Sequence, residues 1–304
     1  MTDMQAVLDD IHSQMRSEQV VGNVATYIPQ LSLVPASKFG MALRDTDGQV
    51  FSVGDSEEPF SIQSVSKVFT LAMALRVHGD ELWERVGRES SGGPFNSLVQ
   101  LETELGVPRN PFINAGALVV TDALYQANSD AKESVLALAR DLSGNPHASF
   151  DQQVANSERD NGHRNLAMVH FMKSFGTIAG DVEPVIDAYF HHCSISMSCV
   201  DLATAFTFLA NEGLDKDGNQ ILDPSLTKKV NALMLTCGTY DAAGDFAYRV
   251  GLPCKSGVGG GIVAAMPGEF SVCVWAPGLD ENGNSLLGMQ ALELLTTAIG
   301  TSIF

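Results

Sequence analysis

The sequence predicts an α+β fold: one antiparallel sheet built from strands at both ends of the chain, flanked by helices, with an all-helical subdomain inserted between them. Three observations carry this reading. Strand-like runs occur only near the two ends, and the middle, roughly 68–240, is a succession of helical periods. Apolar residues make up 45% of the 304 and charged residues 18%, the balance of a compact globular protein. A chain of this length buries roughly 75% of its unfolded surface on folding and needs no disulfides to hold together. The expected organisation is a single domain over 1–304, with a discontinuous sheet part at about 1–67 and 241–304 and a helical part at about 68–240.

In order along the chain, residues 2–21 read as an amphipathic helix. Gly40–Val53 alternates about the Asp-Thr-Asp-Gly turn at 45–48, a β-hairpin signature. From Ser64 to Val77 the period becomes helical, with Val65, Val68, Phe69, Ala72, Met73 and Leu75 apolar and Gly79 as the stop. Helical patterns follow at 112–127, 131–142, 163–174, 181–190, 198–211 and 225–236, punctuated by turns such as Ser143-Gly144-Asn145-Pro146. Leu252–Lys255, Gly260–Met266 and Phe270–Trp275 are short β-rich runs, and a last helix spans about 285–299.

Composition excludes several classes. Lys and Arg total 18 against 36 Asp and Glu, a net charge of −18. Nucleic acid and anionic membrane are therefore poor partners, since cationic side chains are what neutralise phosphates. The five cysteines, Cys193, Cys199, Cys237, Cys254 and Cys273, show no Cys-x-x-Cys spacing. They read as small buried residues, not as a disulfide framework or zinc site. Met1–Met15 carries Asp3, Asp9, Asp10 and His12 without an apolar run, unlike a secretory signal. The longest uncharged stretch, Gln19–Ser37, is interrupted by Asn23, Pro29, Gln30 and Pro35 and makes no spanning helix. A cytoplasmic protein is expected.

Three motifs lose their chemistry on inspection. Gly257–Gly261 lacks the Lys-Ser/Thr ending or the strand–turn–helix context of a phosphate loop. Asp215–Asn219 starts like a calcium loop, but Gln220 and Leu226 stand where Gly and Glu belong, so it reads as a turn. His191, His192 and Cys193 are adjacent on a helix and point in different directions, which favours a structural role over a metal site.

Ser-x-x-Lys occurs three times, at Ser64–Lys67, Ser129–Lys132 and Ser225–Lys228. Residues three apart on a helix share a face, and a buried lysine with a lowered pKa can take a hydroxyl proton. The second and third pairs open polar helices and read as solvated N-caps. The first opens a strongly apolar helix, so Lys67 is expected to be half buried. Ser66 is adjacent to Lys67 and cannot face it. Far downstream lies Lys255-Ser256-Gly257. Ser-x-x-Lys followed by Lys-[Ser/Thr]-Gly resembles the penicillin-recognising serine hydrolases, in which the later strand lies beside the nucleophile and lends a backbone donor to the oxyanion hole. Together the two signals say acyl transfer by serine, without saying on what.

Longer strings narrow the choice. Tyr27-Ile-Pro-Gln-Leu31, Gln63-Ser-Val-Ser-Lys67, Asn110-Pro-Phe-Ile-Asn-Ala-Gly116, Ser157-Glu158 with Asn165, Tyr189-Phe190 with Cys193-Ser194, Cys237-Gly-Thr-Tyr240 and Lys255-Ser-Gly-Val258 follow one another in order. Together, over about residues 20–300, they resemble the serine-dependent glutaminases in their compact bacterial form, without the ankyrin extensions of the animal enzymes. The resemblance implies a β-lactamase/transpeptidase-like fold, hydrolysis of L-glutamine to L-glutamate and ammonia, a homotetramer, and no metal, nucleotide or organic cofactor. It implies Ser64 as nucleophile, Lys67 as its base, and Tyr240 and Tyr27 near the reacting atoms. It further implies the backbone amides of Ser64 and Val258 as the oxyanion hole and Asn114, Glu158, Asn165 and Tyr189 as substrate-holding positions.

Those residue types suit glutamine. Glu158 offers a carboxylate to the α-ammonium. The Asn114 or Asn165 amides or the Tyr27 hydroxyl offer neutral donors to the α-carboxylate, and which donor meets which oxygen stays open. Three other readings stand beside this one. A β-lactamase or cell-wall peptidase would use Ser143-Gly144-Asn145 as its middle motif. A binding protein for glutamine or glutamate on the same scaffold would be expected to have lost Ser64 or Lys67, and both are intact. Asparagine specificity turns on one methylene, often worth only about 1–3 kcal/mol.

Overall fold

The structure, a computed structural model, describes residues 3–18, 22–92 and 97–304. Helix α1 (Met4–Ser17) starts at Asp3, whose carboxylate accepts the Ala6 N–H at 3.2 Å. The hairpin follows as β1 (Gly40–Asp45) and β2 (Val50–Gly54), then come the two-residue strand β3 (Phe60–Ser61) and α2 (Ser66–His78). The middle of the chain runs through α3 (Leu98–Thr103), α4 (Asn114–Ala127), α5 (Ala131–Ser143), β4 (Ser149–Phe150), α6 (Gln152–Asn161), α7 (His163–Ser174) and α8 (Val182–Cys193). It continues with β5 (Ile195–Met197), α9 (Cys199–Ala205), α10 (Thr207–Ala210), α11 (Pro224–Cys237) and α12 (Ala243–Arg249). Strands β6 (Cys254–Ser256), β7 (Gly261–Met266) and β8 (Phe270–Trp275) and helix α13 (Leu286–Ile299) complete the chain.

Strands from the two ends pair as expected. The main sheet is antiparallel throughout, in the order β2-β1-β8-β7-β6. Side-chain alternation assigns its two faces. Met41, Leu43, Val272 and Val274 face a layer holding Leu8 and Ile11 of α1 and Leu292 and Leu295 of α13. Ala42, Cys273 and Trp275, one residue out of phase, face the helical body. Covered on both faces and flanked on both edges, β8 is buried at every position, whereas edge strand β2 is exposed at Val50 and Gly54.

Helix α2 forms the centre of the helical body. Val65, Val68, Phe69, Leu71, Ala72, Ala74 and Leu75 cover its circumference, and a helix apolar all round belongs in a core. It ends at Gly79, the stop the sequence anticipated, where φ is 54°.

Several local expectations change. The opening helix is shorter than 2–21, and residues 2 and 19–21 of that span lie outside the described residues. The 198–211 helix divides at Phe206, where the Leu209 N–H turns back three residues to the Phe206 carbonyl. Ser129 and Ser225 are not N-caps. Asp130 holds that position for α5, and Asp223 holds it for α11, where its carboxylate accepts the Leu226 N–H at 2.8 Å and Pro224 at N1 fixes the entry. A second sheet, β3-β5-β4, was not anticipated. It pairs Ser61 with Ser196 and joins the chain just before Ser64 to the end of α8. Phe60 of that sheet stacks on Trp275 of the main one at 4.9 Å.

Candidate active site

Ser64 sits in the 3-10 turn Gln63–Val65 that leads into α2. Gln63 is held at φ 49°, in the left-handed region, at a cost of about 1–3 kcal/mol for a residue with a side chain. The surroundings hold it there: the Ile62 N–H donates to the Ile195 carbonyl at 2.9 Å, and the Ser66 hydroxyl to the Gln63 carbonyl at 2.7 Å. Ser66 is thus spent on the backbone, while Ser64 keeps 7% of its surface open.

Lys67 goes deeper than half burial, with 2% exposed. Its ammonium donates to the Asn114 side-chain oxygen at 2.7 Å and the Phe112 carbonyl at 3.2 Å. Burial lowers its pKa to about 8, against the opposing pull of Cys193 and Glu158 in their negative forms. The Ser64 hydroxyl lies beside Tyr240, whose own hydroxyl donates to the Ser256 carbonyl at 3.3 Å. Burial pushes that phenol up to about 12, against the opposing pull of Ser64 and Ser256. Tyr240 follows α11 with φ 57°, a second left-handed residue beside the crevice.

Strand β6 runs against the turn that carries Ser64. A Cβ built on Gly257 would lie 2.8 Å from the Ile62 carbonyl oxygen and 3.2 Å from the Ser64 nitrogen, so only glycine lets Lys255-Ser256-Gly257-Val258 pass this close. Lys255 has no exposed surface. Its amine donates to the Ser256 carbonyl at 2.5 Å and the Gly238 carbonyl at 2.9 Å, and it lies 4.4 Å from the centre of the Tyr240 ring. Burial first, and the Lys67 charge second, drive its pKa well below the usual lysine value.

Four helices supply the remaining predicted positions. Asn114 opens α4 and donates to the Asn165 side-chain oxygen of α7 at 3.0 Å. Glu158 of α6 is 5% exposed, and burial raises its pKa to about 7 despite a hydrogen bond from Gln63 and the Lys67 charge. Tyr189 of α8 lies with its ring centre 5.9 Å from the Lys67 nitrogen, its hydroxyl pushed far up by burial and by neighbouring Cys193 and Glu158. Tyr27 is the open member, 56% exposed over the whole side chain. Desolvation, then Glu158 and Tyr240, raises its pKa well above the usual phenol value.

The other motifs stand apart. Asn145 donates to Asp201 at 3.1 Å and Gly144 ends α5, so Ser143-Gly144-Asn145 is engaged in capping, away from Ser64. Asp215 accepts the Asp217 and Asn219 N–H groups at 2.8 Å each, which makes that segment a turn. His191 bonds the Asp187 carbonyl at 2.8 Å and packs edge-on to Phe150. All five cysteines are free and buried. Among the described residues no group of three His, Cys, Asp or Glu side chains is arranged to hold a metal. Two neighbours of the crevice escaped the sequence reading. Gln63 is a neutral amide inside a quoted string, and the Lys255 side chain was valued only for its strand; neither carries a periodic or spacing signal of its own.

What the fold defines is a class: hydrolases built on the β-lactamase-like fold. Comparison with known proteins narrows it. The glutaminase family model matches residues 22–304. A glutaminase of Ralstonia nicotianae is 56% identical over 303 residues, covering 99% of this chain and 100% of its own. One of Streptomyces coelicolor is 55% identical over 303 residues, covering 100% and 99%. Among solved structures, the probable glutaminase YbaS superposes with a TM-score of 0.94 at 34% identity, covering 99% of this chain and 98% of its own. A probable glutaminase from Bacillus subtilis complexed with 6-diazo-5-oxo-L-norleucine gives 0.90 at 30% identity, covering 100% and 98%. The chain belongs to the glutaminase family, whose members hydrolyse glutamine to glutamate and ammonia.

Proposed function

We propose that this chain hydrolyses the side-chain amide of L-glutamine through a γ-glutamyl ester on Ser64. The observation that carries the reading is one buried constellation: a serine hydroxyl beside a phenol, with a lysine of lowered pKa one helical turn on, held by a carbonyl and an amide. The magnitudes divide the labour. With a pKa of about 8, Lys67 is the neutral amine in about a tenth of molecules at pH 7, whereas a phenol near 12 is ionised in about one in 10⁵. Lys67 is therefore the base and Tyr240 the hydroxyl that hands a proton onward.

In the first half-reaction the Ser64 proton passes to Lys67 as the serine oxygen bonds the carbonyl carbon of the γ-amide. The oxyanion meets the Ser64 and Val258 N–H groups, each worth about 3–4 kcal/mol when well aimed. The carbon–nitrogen bond breaks as Tyr240 protonates the nitrogen, and Lys67 resupplies the phenol. Ammonia leaves. Water then repeats the sequence on the ester, returning glutamate and the free serine. Glu158 receives the α-ammonium, whose charge restores the carboxylate that burial disfavours. Asn114, Asn165, Tyr189 and Tyr27 hold the rest of the substrate. Every group in the scheme is a side chain or a backbone amide.

The test uses 6-diazo-5-oxo-L-norleucine, the compound bound by the Bacillus subtilis relative. Incubation should abolish ammonia release and add one residue of label to the Ser64 peptide by mass spectrometry. Label on another residue, or turnover retained in Ser64→Ala, would remove Ser64 from its role. The same reading takes the chain as one catalytic domain with its sheet part at about 1–67 and 241–304 and its helical part at about 68–240. It assembles as a homotetramer, so light scattering should give four chain masses. It works in the cytoplasm, where the five free thiols stay reduced.

A further inference from the structure

Asn284 lies on the loop between β8 and α13, far in sequence from the reacting groups, and has no exposed surface. Its side-chain oxygen accepts the Ser256 hydroxyl at 2.6 Å, and its amide donates to the Thr239 carbonyl at 3.3 Å. Both partners adjoin the chemistry. Thr239 immediately precedes Tyr240, at the point where the backbone enters the left-handed region. Ser256 ends β6 two residues before Val258, and its carbonyl accepts the Tyr240 hydroxyl. Asn284, Thr239, Tyr240 and Ser256 thus form a closed ring in which the amide fixes the distance across which the phenol must reach.

The loop is itself held. The Asp280 carboxylate accepts the Asn282 and Asn284 N–H groups at 2.9 and 2.8 Å, and the Asp280 N–H returns a bond to the Asn284 carbonyl at 2.8 Å. Leu279 exchanges two backbone hydrogen bonds with Asn23 at 3.0 and 3.1 Å. It also packs in one small cluster with Ala25, Ile28, Leu31 and Val258, and so touches the segment that carries Tyr27. An apolar side chain would fill the volume of Asn284, but it could bind neither the hydroxyl nor the carbonyl.

We infer that Asn284 is a positioning residue, which sets the spacing between Tyr240 and the oxyanion strand through its bonds to Thr239 and Ser256. The inference rests on the reading of Tyr240 given above. A double-mutant cycle tests both, with ammonia release measured for the full chain, Asn284→Ala, Tyr240→Phe and the pair, and kcat separated from KM. Asn284→Ala is expected to lower kcat about 10–100-fold, the cost of a misplacement near 1 Å, with little change in KM. Added to Tyr240→Phe it should cost less than about twofold, because the phenol it positions is already gone. If Asn284→Ala does not fold, Asn284→Ser takes its place in the cycle.

Full activity in the folded variant overturns the inference. So does a loss confined to KM, or the same multiplicative loss in both backgrounds, and in those cases the role of Tyr240 stands. Parental activity in Tyr240→Phe overturns the reading of Tyr240, and this inference with it.

Discussion

The Asp122 site and the crevice around Lys67 both bury charge, and they are built on opposite terms. Asp122 has no exposed surface and forms an ion pair with Arg85 while accepting the Ala179 and Gly180 N–H groups at 2.9 and 2.8 Å. Arg85 in turn donates to the Thr177 carbonyl at 2.8 Å, so cation and anion are both satisfied. In the crevice, the direct partners of Lys67 are a carbonyl and an amide, those of Lys255 are two carbonyls, and the polar neighbour of Glu158 is the neutral Gln63 amide. Neutral partners leave the desolvation cost uncompensated, and the pKa values of all three groups move toward neutrality. Where charge holds the structure it is paired; where the chemistry needs a proton to move, it is left with neutral neighbours.

Lys67→Met tests the sharpest side of that contrast. Ammonia release from glutamine should fall by about 10⁴-fold or more, the scale on which removing one member of a nucleophile–base pair acts. Urea unfolding should show a transition as cooperative as the parent's. A variant that loses its fold together with its activity would erase the distinction, because Lys67 would then be structural.

Asp122→Ala addresses the opposite site. Removing one partner leaves Arg85 and two N–H groups unsatisfied, so stability should fall by about 3–5 kcal/mol in urea titrations, while kcat per folded molecule stays near that of the parent. A stability change below about 1 kcal/mol would show that the pairing is not what holds this region.

The third expectation concerns pH. Below about 7 Glu158 is protonated and loses its attraction for an ammonium group, and below about 8 Lys67 is the cation and cannot accept a proton. Both losses lie on the acid side, so kcat/KM should rise with pH through about 7 and again through about 8. Glu158→Gln should remove the lower step, leave the upper one, and lower kcat/KM by about 10–100-fold through KM, the worth of one charge-assisted hydrogen bond. A profile with the lower step intact in that variant assigns it to another group.

The smallest effect is expected at Ser129, which shares the Ser-x-x-Lys spacing but lies exposed just before Asp130 and Ala131 at the start of α5. Ser129→Ala should keep full activity and stability within about 0.5 kcal/mol. Any larger loss of turnover would mean that spacing alone had been undervalued.

The main sheet and the helices with long apolar periods were legible because each is a pattern among neighbouring residues. The second sheet was not: Phe60–Ser61, Ser149–Phe150 and Ile195–Met197 are too short to show a period, and they exist because distant segments meet. Helix α6 escaped for a different reason. Gln152–Asn161 is polar along most of its length, and it is held by the Asp151 cap and by burial of Val154, Ala155, Ser157 and Glu158. The N-cap reading of Ser129 and Ser225 failed because an aspartate within two residues takes the capping position at each of those helix starts.

By itself the sequence determined the α+β plan, the apolar helix behind Ser64, and the Ser-x-x-Lys and Lys-Ser-Gly spacings. Ordered strings of residues also carried the resemblance to the glutaminases. All of these are local, written in the periodicity and spacing of adjacent positions. Only the tertiary structure decided that Asn114, Glu158, Asn165 and Tyr189, from four helices, gather around Lys67, and that the Ser64 hydroxyl lies beside Tyr240. It likewise decided how far each proton affinity moves. Desolvation and charge coupling depend on groups brought together from opposite ends of the chain, and no pattern along the sequence encodes the water they exclude.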